Sequence, residues 1–376
     1  MDVILKNISK FYNNTKVLDN ISLNIYERNF TVILGPSGSG KTTLLNIIAG
    51  LENQSSGGIF FGNKDITQAN SKDRDLGFVF QNYVLYPHLT IKQNITFPLR
   101  FKTTKELKAL NQDKDIEYKN LNNKQLRKKL IEDSVQEISK KLAIDNLLHK
   151  KSHQLSGGEK QRVAIGRALI KRPKSNLLLF DEPLSNLDPQ LRAVLREEIK
   201  RIHHEFKMTV LYVTHDQYEA MSIADRIIII NDSKIQQIDT PKNIYDFPSN
   251  LFVAKFIGNI PMNIFSPSDE IINKFANYNQ IKEKLKEIKV SEVLFGIRSE
   301  NIAISEDNST GLRGTITKKE FQGVFTIFKV LLDNNLEIYV SVYDAKLQKL
   351  NNGSHIYVSF KEGGLHVFDK KTGKLI

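Results

Sequence analysis

The sequence predicts an α/β fold built on a mainly parallel sheet, followed by a smaller and mostly β domain. Short β-rich runs at residues 31–34, 177–180 and 209–213 alternate with stretches of helical spacing. Strands that alternate with helices in this way pair in parallel, and the helices pack on the faces of the sheet. Residues 336–340 and 356–360 instead alternate apolar with polar side chains, the pattern of half-buried antiparallel strands in a small β-barrel.

The composition is that of a folded chain with two domains. The 376 residues are 40% hydrophobic, and 54 Lys and Arg against 42 Asp and Glu give a formal net charge of +12. The absence of cysteine excludes disulfides, thiolate metal sites and a cysteine nucleophile. No apolar run approaches the ~18 residues of a membrane span, and the first residues lack the pattern of a secretory signal. We therefore expect a chain that does not itself cross a membrane.

We place the domain boundary at residue 240. Residues 1–240 carry the alternating strands and helices, whereas residues 241–376 begin with a helix and a linker and then become mostly β. Residues 82–160, approximately, have helical spacing and predict a helical subdomain with a Lys- and Asn-rich insertion near residues 102–125. A solvated excursion without a function explains this insertion.

The positive charge is concentrated in the helical stretch. Residues 100–151 hold 14 Lys and Arg against 8 Asp and Glu, which is half of the excess in the whole chain. Nucleic acid, an acidic membrane surface and a solvated helical face are the alternatives. Because a solvated face explains the charge without a bound polyanion, we expect no nucleic-acid partner.

A glycine-rich loop follows the strand at residues 31–34 and precedes a helix at residues 42–49, the context of a phosphate-binding loop. Its glycines allow backbone N–H groups to converge on phosphate oxygens. Lys41 would reach the β and γ phosphates, and the Thr42 hydroxyl would bind Mg²⁺. A chance Gly/Ser-rich turn would not need both flanking elements. The loop consists of Gly35, Pro36, Ser37, Gly38, Ser39, Gly40, Lys41 and Thr42.

Two adjacent carboxylates, Asp181 and Glu182, follow the buried run at residues 177–180. Ligands of parallel sheets bind at this carboxyl edge. Alone, two acids after an apolar run are more typical of a helix cap or a turn, but the phosphate-binding loop reverses that preference. We expect Asp181 to hold the hydrated Mg²⁺ and Glu182 to act as general base toward the attacking water.

Residues 155–162, LSGGEKQR, resemble the signature motif of ATP-binding-cassette proteins. The other cassette motifs of that family appear in the expected order along the chain. Residues 79–81 resemble the Q-loop, residues 185–188 resemble the D-loop, and residues 214–216 resemble the segment of the switch histidine. The resemblance implies an ATPase with a phosphate-loop cassette fold that uses ATP and Mg²⁺.

The resemblance also implies a role for each matching residue. His215 would contact the γ-phosphate, and Gln81 would contact the metal or its water and communicate with a transporter. Tyr12 would stack on adenine, although an exposed edge-strand tyrosine is the alternative. The implied catalytic residues are Glu182, His215, Gln81 and Lys41, and the implied metal ligands are Thr42, Gln81 and Asp181. The implied nucleotide contacts are Tyr12, Gly35, Pro36, Ser37, Gly38, Ser39, Gly40, Lys41, Thr42, Thr43, Ser156, Gly157, Gly158 and Asp188.

Ser156, Gly157 and Gly158 open a helix, so its unpaired N–H groups and positive end would favour an anionic phosphate. The loop of the same chain already surrounds its own phosphates. In the family this motif closes over ATP held by a partner subunit. One cassette per chain therefore requires a second copy of the chain or a similar ATPase subunit, with two composite sites.

The rest of the chain resembles importer ATPases of the maltose and multiple-sugar type. Residues 238–265 resemble the linker after the cassette, and residues 295–300 and 365–373 resemble landmarks of a regulatory domain with an OB-like β-barrel. Residues 261–263 favour sugars. The resemblance implies two membrane-spanning permease subunits and, indirectly, an extracellular substrate-binding protein. It also implies a peripheral location at the cytoplasmic face of the cell membrane.

Three alternatives stay open at this point. Importers of polyamines, iron and oxyanions carry similar C-terminal domains, so the cargo could belong to one of those classes. The chain could act on nucleic acid without a membrane partner, although it has one cassette and no long heptad arm. It could be a regulatory ATP-binding module without turnover, which the presence of Glu182 and His215 disfavours. Glu159 stands where many importers carry glutamine, a departure that we do not expect to abolish the chemistry.

Overall fold

The chain is described here by a computed structural model. Its described residues form two compact units, Met1–Pro241 and Lys242–Ile376. The middle of the predicted insertion, residues 110–120, lies outside the described residues. The described parts of the chain are residues 1–109, 121–171, 177–185, 187–268, 271, 289–306, 311–361 and 363–376.

Two sheets form the framework of the first unit. The strands described there are β1 (Val3–Tyr12), β2 (Thr15–Ile25), β3 (Phe30–Leu34), β4 (Ser56–Phe61), β5 (Lys64–Asp65), β6 (Gly77–Val79), β7 (Leu177–Asp181), β8 (Thr209–Thr214), β9 (Arg226–Asn231) and β10 (Lys234–Asp239). The helices of the described chain are α1 (Lys41–Ala49), α2 (Ile91–Thr96), α3 (Thr104–Ala109), α4 (Asn123–Lys141), α5 (Gly157–Leu169), α6 (Pro189–Phe206), α7 (Gln217–Ile223), α8 (Pro241–Asp246) and α9 (Leu251–Phe256).

The larger sheet of the first unit has the strand order β10-β9-β3-β8-β7-β6. The neighbours from β9 to β6 pair in parallel, and the edge strand β10 is antiparallel to β9. Strands β3 and β8 are buried along their full length, as parallel strands covered on both faces require. The mainly parallel sheet predicted from the sequence is therefore confirmed.

The smaller sheet is antiparallel and has the strand order β2-β1-β4-β5. Ile21 and Ile59 from this sheet share one apolar core with Leu44 and Ile48 of α1 and with Ile228 of the larger sheet. Helix α1 is thus held between the two sheets by burial of its apolar side chains. This packing fixes the position of the glycine-rich loop that leads into the helix.

Helices α2 to α5 lie between β6 and β7 along the chain, in the region with helical spacing. A capping box begins α4, where Asn122 and Gln125 each accept a hydrogen bond from the backbone N–H of the other. Of the helices in the described residues, none is long and apolar enough to traverse a bilayer.

The second unit is mostly antiparallel β structure. Its three-stranded sheet has the order β11-β12-β18, and its five-stranded sheet has the order β13-β17-β14-β15-β16. The five-stranded sheet curls until its edge strands β13 and β16 contact each other, consistent with the predicted small OB-like barrel. The strands are β11 (Asn263–Phe265), β12 (Val293–Ile297), β13 (Ile302–Ser305), β14 (Leu312–Phe321), β15 (Thr326–Leu332), β16 (Glu337–Val342), β17 (His355–Phe360) and β18 (Leu365–Asp369).

Candidate active site

The glycine-rich loop connects β3 to α1 in a backbone conformation that requires glycine. Gly38 and Gly40 have φ values of 78° and 96°, in the left-handed region that side chains disfavour. A Cβ atom at Gly35 would lie 2.1 Å from the carbonyl oxygen of Ile230, too close for any other residue. Glycine is therefore required at Gly38 and Gly40 by the backbone conformation and at Gly35 by the close approach of the Ile230 backbone.

Lys41 lies at the start of α1 with its side chain folded back over the loop. Its Nζ donates hydrogen bonds to the carbonyl oxygens of Gly35 at 2.9 Å and Pro36 at 2.7 Å. Burial lowers the pKa of Lys41, while the charges of Glu182 and Asp181 act in the opposite direction. The ammonium group is thus held inside the loop, facing the carboxylates at the end of β7.

The loop offers donors that suit an anion. Ser39 is buried, and its Oγ has no hydrogen-bond partner among the described residues. Gly40 caps α1 without a side-chain acceptor, and the first turn of this nine-residue helix carries no acidic residue. An orphaned hydroxyl, the N–H groups of the first turn and a lysine fit the oxygens of a phosphate group.

Thr42 and Asp181 meet next to this loop. The Thr42 hydroxyl donates a hydrogen bond to Asp181 Oδ1 at 3.0 Å. Burial raises the pKa of Asp181, and the hydrogen bond from Thr42 opposes this shift. A hydroxyl and a carboxylate are hard oxygen donors, so the pair fits Mg²⁺, which binds one or two protein oxygens together with water and substrate phosphates.

Glu182 and His215 come from the ends of the neighbouring strands β7 and β8. His215 Nδ1 lies 3.1 Å from Glu182 Oε2, and the histidine side chain is 51% exposed. Glu182 has φ 43°, a left-handed conformation uncommon for a residue with a side chain. A hydrogen bond from the Glu182 N–H to the carbonyl oxygen of Val213 helps to hold it there. The structure brings the predicted base and the predicted switch histidine into direct contact.

Gln81 follows β6, which is the edge strand beside β7. Its Nε2 donates a hydrogen bond to Ser185 Oγ at 3.1 Å, and that hydroxyl donates to the Glu182 carbonyl oxygen at 3.0 Å. The structure therefore places Gln81 beside the segment that follows Glu182. The contact of Gln81 with a metal stays a prediction.

Tyr12 ends β1 with 43% of its surface exposed. The ammonium group of Lys10 lies 4.8 Å from the centre of the Tyr12 ring, and it also bonds Glu52 Oε1 at 2.6 Å. The ring therefore contacts an ion pair in which Lys10 is buried and Glu52 is half-buried. Its stacking on adenine stays a prediction.

The signature residues form the start of α5. Ser156 is the N-cap, and its backbone N–H donates a hydrogen bond to Glu159 Oε2 at 2.7 Å, which lowers the pKa of Glu159. A Cβ atom at Gly157 would lie 2.8 Å from a methyl group of Leu187, so a glycine allows this close packing. Among the described residues, no hydrogen bond or ion pair joins Ser156, Gly157 or Gly158 to the glycine-rich loop.

The remaining predicted residues lie on the surfaces beside these groups. Asp188 caps α6, because its carboxylate accepts a hydrogen bond from the Leu191 N–H at 2.9 Å. Ser37 is exposed at the tip of the glycine-rich loop, and Pro36 and Thr43 are half-buried.

Comparison with known proteins identifies the family. A model of the ABC transporter family matches residues 18–185, and a model of the TOBE domain matches residues 295–368. The oligosaccharides import ATP-binding protein MsmX of Bacillus subtilis is 36% identical over 98% of this chain and 97% of its own length. The chain belongs to the ABC transporter ATP-binding protein family.

Two further relatives are similar over the full chain of this ABC protein. The trehalose/maltose import ATP-binding protein MalK of Thermococcus litoralis is 34% identical over 100% of this chain and 99% of its own. The Fe(3+) ions import ATP-binding protein FbpC of Fusobacterium nucleatum is also 34% identical, over 100% of this chain and 95% of its own.

A solved structure shares the cassette fold. A bacterial ABC transporter cassette, solved as a dimer in a post-hydrolysis state with ADP and phosphate bound, is 32% identical to this chain. The match has a TM-score of 0.50 and covers 64% of this chain and 98% of that one. Together with the family match, it shows that this ABC protein is an ATP-binding protein of the ATPase class.

Sequence reasoning missed several residues that organise the site. Arg192 of α6 forms an ion pair with Asp216 at 3.0 Å, next to His215. Buried Asn94 of α2 bonds the backbone of the segment after Gln81. The sequence contains one local indication of these contacts, which is that Asp216 directly precedes a helix, a position typical of an N-cap. Asp216 does cap α7, but its pairing with α6 depends on the tertiary fold.

Proposed function

We propose that this ABC protein is the ATP-hydrolysing subunit of an importer, most consistent with a sugar importer of the maltose, multiple-sugar or glycerol-phosphate type. The observation that carries the proposal is one cluster at the carboxyl edge of the sheet. There Thr42 contacts Asp181 at 3.0 Å, and Glu182 contacts His215 at 3.1 Å, beside the loop that encloses Lys41. This cluster brings together hydrogen-bond donors for phosphate oxygens, oxygen ligands for a metal ion and a carboxylate that can act as a base.

The loop binds the phosphates in this proposal. Lys41 and the N–H groups of the α1 first turn face the phosphate oxygens. The Ser39 hydroxyl, which has no hydrogen-bond partner in the described part of the chain, donates to one of them. Lys41 then exchanges a carbonyl oxygen of Gly35 or Pro36 for a phosphate oxygen. Its charge stays close to the carboxylates of Asp181 and Glu182, which oppose the loss of its proton.

Thr42 and Asp181 hold Mg²⁺ in this proposal, with Gln81 as a further oxygen ligand near the attacking water. The ion would neutralise phosphate charge and keep the β and γ oxygens in a fixed orientation. Thr42 can offer an oxygen lone pair to the ion and keep its hydrogen bond to Asp181, because the hydroxyl donates that bond through its hydrogen. Burial raises the pKa of Asp181, and a bound cation would stabilise its ionised form.

Glu182 orients the attacking water and accepts its proton, and His215 contacts the γ-phosphate. Phosphoryl transfer needs mainly positioning and charge stabilisation, so these side chains must sit in fixed places. The left-handed backbone of Glu182 and its hydrogen bond to His215 supply that restraint. Tyr12 contributes a ring face for adenine at the outer edge of the same site.

The second copy of the cassette completes the site. Ser156, Gly157, Gly158 and Asp188 make no described hydrogen bond to the loop of their own chain. A helix start that faces outward fits the phosphates of a nucleotide held by a partner. A similar cassette has been solved as a dimer, which supports this arrangement.

A cavity lined in part by Phe80 and Val84, which flank residues 81–83 in the chain, is the candidate docking site for a helix of a membrane-spanning partner. It has a volume of about 320 Å³ and lies next to Tyr83 and Val84, two consecutive residues with φ values of 57° and 46°. Arg167 of α5 holds their carbonyl oxygens at 2.9 and 2.5 Å. The cavity therefore adjoins both the segment after Gln81 and the signature helix. Its lining includes Phe78, Phe80, Val84, Tyr86, Phe97 and Arg167.

The relatives support the proposed cargo and location. Their names describe import of oligosaccharides, trehalose or maltose, and Fe(3+) ions. Permease subunits would hold this chain at the cytoplasmic face of the membrane. We infer a sugar because two of these three relatives are named for sugar import and because residues 261–263 favour that class. Polyamine, iron and oxyanion importers are the alternatives.

The decisive test of the chemistry is the Glu182→Gln variant of the full chain. We expect ATP binding to be retained, turnover to fall at least about 100-fold because the base is lost, and a closed dimer to accumulate with ATP. Glu197→Gln on the exposed surface of α6 is the matched control. Wild-type turnover in the Glu182→Gln variant would show that Glu182 is not the base.

The test of the partners starts from membranes. The tagged full chain is purified from solubilised membranes of its own cells, and copurifying hydrophobic subunits are identified by mass spectrometry. The assembly is then placed in vesicles, and ATP-driven uptake of labelled oligosaccharide is compared with uptake of a polyamine, Fe³⁺ and sulfate. Uptake of one of the other solutes instead of the oligosaccharide would replace the sugar assignment.

A further inference from the structure

His215 lies between two residues that are both fixed by hydrogen bonds. Thr214 ends β8, and its hydroxyl donates to Glu219 Oε2 at 2.9 Å. Asp216 caps α7, because its Oδ1 accepts hydrogen bonds from the N–H groups of Tyr218 and Glu219 at 2.8 and 3.1 Å. The placement of the imidazole therefore depends on this short turn.

The buried side chain of Glu219 holds the turn formed by residues 214–216. It is 2% exposed, and the same carboxylate oxygen accepts hydrogen bonds from Tyr212 and Thr214. The Thr214 hydroxyl also accepts a hydrogen bond from the Asp216 N–H at 3.0 Å. Burial raises the pKa of Glu219, and the hydrogen bonds from Thr214 and Tyr212 oppose this shift. Thr214 and the Asp216 backbone are thus held in place by buried hydrogen bonds.

Arg192 of α6 holds the outer side of the turn. Its guanidinium donates to Asp216 Oδ2 at 3.0 Å and lies 3.8 Å from Glu219 Oε1. Another nitrogen of the same group donates to the Leu187 carbonyl oxygen at 3.1 Å. Leu187 directly precedes Asp188, so Arg192 joins the turn of His215 to the segment that caps α6.

We propose that Arg192 is a positioning residue for His215, which it holds through Asp216 and links to the backbone of Leu187. This inference rests on the proposed ATP hydrolysis, and it adds a residue that the cassette motifs did not indicate. A displacement of the segment before α6 would then move Asp216, and with it the imidazole that faces Glu182. The turn and the segment respond together because one planar group bonds both.

The geometry requires an arginine. A guanidinium presents several N–H groups in a fixed fork, so it can bond Asp216 and the Leu187 carbonyl at the same time. A lysine carries one flexible ammonium group and cannot hold both acceptors in that arrangement. Arg192→Lys therefore keeps the charge and removes the bridge.

The chain offers a matched control one turn further along α6. Arg196 is buried, whereas Arg192 is half-buried, and the Arg196 guanidinium packs over the ring of Tyr218 on α7 at 4.6 Å. Arg196→Gln disturbs the same helix pair without touching Asp216 or Leu187. A general loss of packing between α6 and α7 would affect both positions, whereas loss of positioning affects Arg192 alone.

The first measurement is ATP hydrolysis by the full chain, normalised to the number of nucleotide-binding sites. For Arg192→Lys we expect kcat to fall about tenfold or more, because small misplacements of reacting groups are costly, while KM changes less than about twofold. Arg196→Gln should keep kcat within about twofold of the wild type. Asp216→Asn should behave as Arg192→Lys, since asparagine preserves the helix cap and weakens the ion pair.

The second measurement is hydrogen exchange without nucleotide. Backbone amides of residues 214–219 should exchange faster in Arg192→Lys than in Arg196→Gln. Equal kcat values for these two variants, or equal exchange at residues 214–219, would overturn the inference. A wild-type chain without turnover would instead overturn the proposed function, and the exchange experiment would still decide whether Arg192 holds the turn.

Discussion

The hydroxyl of Thr42 donates a 3.0 Å hydrogen bond to Asp181 Oδ1, and this bond joins the first turn of α1 to the end of β7. Burial raises the pKa of Asp181; the hydrogen bond from Thr42 and the charge of Lys41 oppose the shift, and the charge of Glu182 adds to it. The ionised carboxylate is therefore less stable in the folded chain than in water. The proposed metal ligand Asp181 thus keeps its charge at a cost in stability.

The first prediction concerns Asp181→Asn. The amide keeps an acceptor for Thr42 without the buried charge, so we expect a stability gain of about 1 kcal/mol and a Tm increase of about 2–4 °C for a unit of this size. Turnover that depends on Mg²⁺ should fall at least about 100-fold, because a neutral amide is a poor Mg²⁺ ligand. Thermal unfolding and an ATPase assay measure the two effects.

The pH dependence of the same variant gives a sharper check. Since the folded pKa of Asp181 is raised, the wild-type chain gains stability as the pH falls through that pKa. Asp181→Asn should lack this gain, so the Tm difference between the two proteins should shrink toward acidic pH. Asp145→Asn on the surface is the control. A variant that melts below the wild type at neutral pH contradicts the prediction.

The local parts of the site could be predicted from the sequence. The phosphate-binding loop is one contiguous segment, so its flanking strand and helix were sufficient to indicate it. Asp181 and Glu182 were indicated by the buried run before them. The parallel sheet followed from the alternation of strands and helices. These features depend on short-range pattern, which a single sequence records.

The rest of the site depends on contacts that sequence pattern does not record. His215 contacts Glu182 although the two residues are 33 positions apart in the chain. Glu182 adopts a left-handed conformation that sequence pattern would predict only for a glycine. Val84 is β-branched and still adopts φ 46°, because Arg167 of α5 bonds its carbonyl oxygen. Tertiary hydrogen bonds of this kind override local preference, so only the fold reveals them.

The second prediction concerns Arg74, a buried arginine whose side chain bonds the last turn of α1. Its guanidinium donates to the carbonyl oxygens of Ile47 at 2.6 Å and Ile48 at 2.9 Å, in the last turn of the helix, and to Ala69 at 3.0 Å. Arg74→Met keeps much of the volume but removes these hydrogen bonds, although the Ile47 carbonyl oxygen still accepts one from the Gly50 N–H at 3.1 Å. We expect a loss of about 3 kcal/mol in the free energy of unfolding, measured by urea denaturation.

Two further variants separate the effect of the positive charge from the effect of the hydrogen bonds to the carbonyl groups. Arg74→Lys retains a cation near the negative end of α1 and should lose less stability than Arg74→Met. Arg100→Met changes an exposed arginine and should leave the unfolding midpoint within the error of the measurement. If Arg74→Met were as stable as Arg100→Met, the carbonyl contacts would not stabilise α1.

The third prediction concerns Asn94, which is fully buried in α2. Its Nδ2 donates to the carbonyl oxygens of Tyr86, Leu89 and Thr90, and its Oδ1 accepts from the Tyr86 N–H at 2.8 Å. Asn94→Asp replaces the donor by a carboxylate oxygen that faces those carbonyl groups. We expect the segment at residues 83–90 to lose order, with faster hydrogen exchange and weaker binding to membrane partners.

The neighbouring Gln93 provides the control for added charge. Its side chain accepts a hydrogen bond from the Thr90 N–H at 2.9 Å, a contact that a glutamate preserves. Gln93→Glu should therefore add the same charge without disturbing residues 83–90. Equal exchange rates in the two variants would mean that Asn94 does not order this segment, and the docking proposal would lose its structural support.

The last prediction concerns Tyr245 in the second unit, where its hydroxyl bonds Glu300. The guanidinium of Arg298 lies 3.8 Å from the centre of its ring and donates to its carbonyl oxygen at 2.8 Å. Burial raises the pKa of Tyr245, and the hydrogen bond to Glu300 adds to the shift. The phenol therefore stays protonated, and keeps Glu300 satisfied, beyond the pH at which an exposed tyrosine ionises.

Because the folded pKa of Tyr245 is raised, the stability linked to its protonated form is complete below the unfolded pKa of about 10 and declines as the pH rises through the folded pKa. Tyr245→Phe should lower the unfolding free energy at neutral pH by about 1 kcal/mol, with a smaller deficit at strongly alkaline pH. Tyr339→Phe, at an exposed ring, should show neither effect in urea titrations. A deficit that stays constant with pH would mean that ionisation of the Tyr245 hydroxyl does not change its contribution to stability.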